Sequence, residues 1–186
     1  MSDSSASRTN WCGYVPFRAE ALVEPSTVAD VQASVAHASR VRPLGTGHSF
    51  NDVADTVGTQ VSVAALPATI EIDEARAVAR VPGGMRYGEV ARLLDADGWA
   101  VANLASLGHI SVAGTVATGT HGSGDRNQTL SASVRALEIV TAGGDLRRID
   151  ADDPLLAGSV VALGCLGVVT HLDLAIEPAF SVRQYV

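Results

Sequence analysis

The spacing of apolar positions predicts a few short helices among short strands. Val28, Val31, Val35 and Ala38 fall at i, i+3, i+7 and i+10, one stripe of an α-helix. Ser26 or Thr27 opens that helix after Pro25, with Asp30 standing three residues after Thr27 as a capping-box partner. Val41–Leu44 reads as a short extended segment running into Gly45-Thr46-Gly47-His48-Ser49, and Val61–Val63 as a further short strand. Thr69–Asp73 and Ala77–Val81 alternate apolar and polar residues around Glu74-Ala75-Arg76, a hairpin pattern. A second helix is expected from about Tyr87 to Ala96, burying Val90, Leu93 and Leu94 and stopped by Gly98. Val134–Val140 and Asp145–Ile149 flank Ala142-Gly143-Gly144, a second hairpin signal. Asp152 or Asp153 is positioned to cap a short helix with Pro154 in its first turn. Val168, Thr170, Leu172, Leu174 and Ile176 alternate with His171, Asp173, Ala175 and Glu177, a strand buried on one face. Few helices among many strands, two of the strand pairs being hairpins, indicate an α+β fold with mixed or antiparallel sheets rather than a doubly wound parallel sheet. Residues 1–13 are small and polar and read as a mobile lead-in, flexible over 1–10. No internal repeat is present.

Composition narrows the classes of function. Of 186 residues, 47% are hydrophobic and 18% charged, the balance of a chain that folds. The net charge is −7 and no Lys/Arg cluster offers a stripe for phosphates, which argues against a nucleic-acid partner. Cys12 and Cys165 belong to no CxxC or zinc spacing and read as small buried hydrophobes or idle thiols. Met1–Asn10 lacks the charged and apolar regions of a signal peptide. The most apolar run, Val160–Val169, is too short to span a bilayer. A cytoplasmic protein without a membrane partner is the resulting expectation.

The 18 glycines gather in three places. Gly45-Thr46-Gly47-His48-Ser49-Phe50 starts like a dinucleotide fingerprint but has Phe50 at the third glycine position, and Asn51–Asp55 is not a periodic helix, so the Rossmann reading fails. Two glycines still allow successive N–H groups to converge on an anion, although an ordinary glycine turn would look the same. His48 within that loop is either a surface histidine or, if the loop holds a cofactor, a reactive one. Ser106 to Gly124 holds five glycines, six Ser/Thr and two histidines. Such a run permits close packing of segments, or a backbone lying flat against a ligand and its phosphates, with Ser111 opening a short helix. His109 and His121 lie twelve apart with no third ligand in sequence, so no metal site is expected. The third cluster, Gly164-Cys165-Leu166-Gly167-Val168-Val169, is by itself a tight turn before the last strand.

Taken in order, these three segments resemble a known family. Val41–Ser49 is similar to the histidine-bearing flavin loop of the vanillyl-alcohol-oxidase superfamily, and Asn103–Gly124 and Leu163–Thr170 to its second and third FAD-contacting segments. Within it the bacterial alditol (xylitol) oxidases match best and the sugar-lactone oxidases next, from about Trp11 to the end of the chain. The resemblance implies a PCMH-type FAD-binding domain of two α+β subdomains, about 11–70 and 71–180, with the FAD pyrophosphate between them. It implies that a ring nitrogen of His48 bonds covalently to the flavin 8α-methyl carbon, and that Leu44, Gly45, Thr46, Gly47 and Ser49 form the pyrophosphate loop around it. Ser106 matches a serine near flavin N5 and the substrate hydroxyl. Ser111, Gly114, Thr118, Gly119 and His121 match further FAD contacts, and Val169 a backbone contact.

The expected activity is oxidation of a primary CH–OH group of a polyol such as xylitol by dioxygen, giving the aldehyde and H₂O₂. His48 must be neutral to attack the methyl carbon, and the cofactor carries the redox chemistry. The alternatives are a sugar-1,4-lactone oxidase of the arabinono or gulono type, and a non-catalytic flavin-binding half. In this family a C-terminal half binds substrate, so 181–186 is expected to begin such a domain, with the remainder as a partner.

Overall fold

The computed structural model describes residues 8–183; the expectations for 1–7 and 184–186 lie outside them. The first sheet is formed by β1 (Ala21–Val23), β2 (Val41–Pro43) and β3 (Thr59–Val61), in the order β1-β3-β2 and entirely parallel. Helix α1 (Val28–His37) carries Val31 and Val35 into the core. Its cap is reciprocal: Asp30 N–H donates to Thr27 Oγ1 at 3.1 Å and the Thr27 hydroxyl to Asp30 Oδ2 at 2.7 Å. The all-parallel sheet differs from the mixed or antiparallel expectation because its three strands, each of three residues, are too short for their pairing to show in the sequence.

The second sheet is antiparallel, in the order β4-β5-β9-β7-β8. Its strands are β4 (Glu71–Asp73), β5 (Val78–Pro82), β7 (Val134–Val140), β8 (Leu146–Ile149) and β9 (Val168–Ala175). Both expected hairpins, β4–β5 and β7–β8, are present. Two shorter strands, β6 (Trp99–Ala100) and β10 (Glu177–Pro178), pair beside it. Helix α2 (Tyr87–Ala96) buries Tyr87, Val90 and Leu94, with Leu93 only partly buried against the same cluster. Helix α3 (Val112–Ala117) follows Ser111, a 3₁₀ turn spans Leu130–Ser133, and α4 (Leu156–Ser159) follows Asp153, which accepts from Leu155 N–H.

The two sheets share core residues. Val31, Val35, Val61 and Val63 pack with Val140 and Val168 of the second sheet. Asp173, expected on the polar face of β9, is nonetheless buried: Arg148 donates to its Oδ2 at 2.7 Å, while Oδ1 has only Arg80 at 3.7 Å and no hydrogen bond among the described residues. Residues 8–13, expected to be mobile, are tied down instead. Trp11 N–H donates to Gly47 O at 2.8 Å, and the buried Asn10 side chain donates to Ser49 O while accepting from the amides of Tyr14 and Val15. Neither cysteine is buried: Cys12 is half-buried and Cys165 exposed. No helix among the described residues is long and apolar enough to cross a membrane.

Candidate functional site

Strand β2 ends at Pro43, and the chain then runs as a loop without forming a helix, as the rejection of a Rossmann turn requires. The loop forms one wall of a cavity of about 410 Å³, within the range of about 300–1,000 Å³ usual for ligand pockets. The opposite wall is stitched from three segments. Val112 N–H donates to Met85 O and Ala113 N–H to Gly83 O, Gly83 N–H donates to Thr170 O, and Leu163 N–H donates to Ala117 O. The turn after β5, the start of α3 and the Leu163–Val169 segment thus form one surface. Val63, Val116, Leu137, Ile139 and Val168 make the interior largely apolar.

Of the residues singled out from the sequence, Leu44, Gly45, Thr46, Gly47, His48, Ser49, Ser111, Gly114, Thr118 and Val169 line this cavity together. Ser106, Gly119 and His121 do not line it. Ser106 is exposed on the loop that carries His109, Gly119 turns in the left-handed region at φ 66°, and His121 Nδ1 bonds Gly122 O. Three participants were not anticipated. His109 Nε2 lies 2.8 Å from His48 Nε2, Trp11 stacks on His48 with ring centroids 4.8 Å apart, and Arg86 lines the cavity. The only sequence signal for His109 was its place in Gly108-His109-Ile110-Ser111, which loosely echoes Gly47-His48-Ser49.

The donor chemistry of the wall indicates an anion. None of the amides of Gly45, Thr46, Gly47, His48 and Ser49 donates to another backbone group among the described residues. Gly47 sits at φ 69°, a value that lets successive N–H groups turn toward one concavity. The buried Ser111 hydroxyl also has no partner among the described residues, and a Cβ added to Gly45 would lie 2.5 Å from it. Five amides without a backbone partner and one unpartnered hydroxyl among the described residues, beside an apolar slot, suit a ligand with an anionic part and an apolar part.

An FAD binding domain model matches residues 19–150. The chain belongs to the FAD-binding domain family. Its FAD therefore fits the cavity's chemistry, with the amide loop suited to the pyrophosphate and the apolar slot to the rings. Among relatives, the alditol oxidase of Streptomyces sp. is 46% identical over 97% of this chain and 44% of its own length. The L-gulono-1,4-lactone dehydrogenase of Mycobacterium tuberculosis is 33% identical over 95% of this chain and 42% of its own. A putative D-arabinono-1,4-lactone oxidase of Neurospora crassa is 31% identical over 92% and 32%. The chain thus spans less than half the length of the curated relatives it matches.

Electrostatics favour a neutral imidazole in this FAD site. Burial holds the pKa of His48 below its ordinary 6.5, and the neighbouring His109 and Arg86 push it the same way. The unfolded chain therefore takes up this proton at a higher pH than the folded chain, so His48 makes folding less favourable as pH falls through 6.5. His171, lowered by burial and by Arg80, acts with the same sign. The melting temperature of the flavin-free chain should drop between about pH 7.5 and about pH 5.5, and drop less in His48→Gln. An equal drop in both proteins would remove His48 from this accounting.

Proposed function

We propose that this chain is the flavin-holding part of an oxidase that converts a primary CH–OH group of a polyol such as xylitol to the aldehyde, dioxygen becoming H₂O₂. The FAD is bonded through its 8α-methyl carbon to a ring nitrogen of His48. The observation that carries the polyol reading is the 46% identity to an alditol oxidase, against 33% and 31% to the lactone-acting relatives. The covalent link is supported by the neutral His48 ring at the end of a loop of unpaired amides.

FAD supplies the redox chemistry, accepting a hydride from the carbinol carbon and returning two electrons to dioxygen. The chain's own residues bind, orient and exclude water. The amides of Gly45–Ser49 and the Ser111 hydroxyl hold the pyrophosphate, the apolar wall around Val116, Ile139 and Val168 shields the rings from water, and Thr118 and Val169 border the same slot. Ser106 lies outside the cavity lining, on the exposed loop that carries His109, and its role in orienting the substrate hydroxyl near N5 rests on the family resemblance. Such a link would require the loss of one hydrogen from the imidazole and one from the methyl carbon, with dioxygen as the two-electron acceptor.

The second reading is a sugar-1,4-lactone oxidase, favoured by the lactone-acting relatives alone. Peroxide release by the complete protein separates the two. With xylitol, kcat/KM should exceed that with L-gulono- or D-arabinono-1,4-lactone by about tenfold or more, a difference of about 1.4 kcal/mol in transition-state binding. The reverse order would assign the lactone reading.

A further inference from the structure

Two carbonyls of the glycine loop are held by a segment that lies outside the cavity. Residues 8–17 close on themselves: Phe17 N–H donates to Arg8 O at 2.7 Å, Asn10 N–H to Val15 O at 2.9 Å, and Gly13 turns the chain at φ 78°. The buried Asn10 side chain is engaged at both ends. Its Oδ1 accepts from the amides of Tyr14 and Val15, and its Nδ2 donates to Ser49 O, each at 2.9 Å. Beside it, Trp11 N–H donates to Gly47 O at 2.8 Å. Neither Asn10 nor Trp11 lines the cavity, whereas Gly47, His48 and Ser49 do.

A trans peptide carries its C=O and N–H on opposite sides. With Gly47 O turned to Trp11, the His48 N–H of the same peptide points away from residues 8–17, toward the side on which the cavity lies. Gly45 and Gly47 leave the loop many alternative conformations, and its five amides have no backbone partner among the described residues to fix them. The fixing contacts come from outside the loop. A Cβ on Gly47 would lie 3.5 Å from Trp11 N and 3.7 Å from Asn10 Cα, so the two segments are in van der Waals contact. We propose that residues 8–17 form a positioning strap for the FAD diphosphate: Asn10 and the Trp11 amide hold the Ser49 and Gly47 carbonyls outward, so that the His48 amide faces the cofactor before it binds. This rests on FAD as the ligand of the cavity, and on neither the covalent link nor the substrate. A loop already ordered by the strap binds more tightly because less ordering remains for the binding step. Coupling of this kind is reciprocal, so bound FAD tightens the strap in turn.

Two measurements test the strap in the chain mixed with FAD. In a His48→Ala background, where FAD binding is reversible whether or not the unaltered chain forms the link, adding Asn10→Ala should weaken FAD binding by about tenfold or more at a temperature well below melting. In the unaltered chain, hydrogen exchange at the Trp11 amide should slow by about tenfold when FAD binds, although Trp11 does not line the cavity. An affinity within about twofold of the background in the folded Asn10→Ala protein would overturn the proposal, because a merely structural Asn10 lowers the melting temperature and leaves binding alone. So would a Trp11 amide that exchanges equally fast with and without FAD while the loop amides become protected. Failure of FAD to bind the unaltered chain would overturn the cofactor reading, and this proposal with it.

Discussion

His48→Ala is expected to give a protein that still takes up FAD yet releases all of it on acid precipitation, where the unaltered chain retains flavin in stoichiometric amount. The expectation rests on the position of the ring at the cavity wall and on its neutral state, without which the nitrogen lone pair is not available. Reversible binding should survive because the five loop amides and Ser111 are untouched by the substitution. The fold should lose little: removing the ring ends a stack on Trp11, worth about 0.5–1.5 kcal/mol, and hydrogen bonds to Thr46 and His109 at a partly exposed site. Flavin retained by His48→Ala after acid would place the bond on another residue.

Gly84→Ala should damage both the fold and the cofactor site. Gly84 lies after β5 against Val63 and Ala64, which follow β3, so it marks a point where the segments of the two sheets cross. A Cβ there would fall on the carbonyl oxygen of Val63, 2.5 Å from its carbonyl carbon and 2.7 Å from Ala64 Cα. These are backbone atoms, which cannot rotate away. Overpacking of this kind costs about 1–3 kcal/mol or more, a fall in melting temperature of roughly 3–10 °C for a chain of this size. All three residues border the cavity, so FAD affinity should fall as well. Gly158→Ala in α4 is the control: nothing lies within 4 Å of its added Cβ, and stability should hold or rise slightly. Equal melting temperatures for the two variants would contradict the crossing-point account.

Elements with enough residues to show a period were legible in the sequence. Val28, Val31 and Val35 marked α1, Val90 and Leu94 marked α2, and the alternation through Ile176 marked β9. Strands β1 and β6, of three and two residues, are too short for alternation to register, and the parallel pairing of the first sheet is a property of no single strand. The polar side of β9 looked like a solvent face because pairing is invisible in one strand. Asp173 is buried by Arg148, which arrives from β8. The site divides the same way. The glycine loop bearing His48 is contiguous and could be read directly, whereas the contacts of His48 with His109 and Trp11 exist only after the chain folds. Trp11 sat in a segment whose polar composition suggested mobility, and only the hydrogen bonds of Asn10 and Trp11 to the loop reveal its anchoring.

The seat of FAD on the amides of Gly45–Ser49 is tested most directly by residue-resolved amide hydrogen exchange with and without the cofactor. These five N–H groups have no backbone partner among the described residues, so without FAD they should exchange quickly, and on binding they should become strongly protected. Protection confined to other segments, with the amides of Gly45–Ser49 still exchanging at their flavin-free rate, would contradict it.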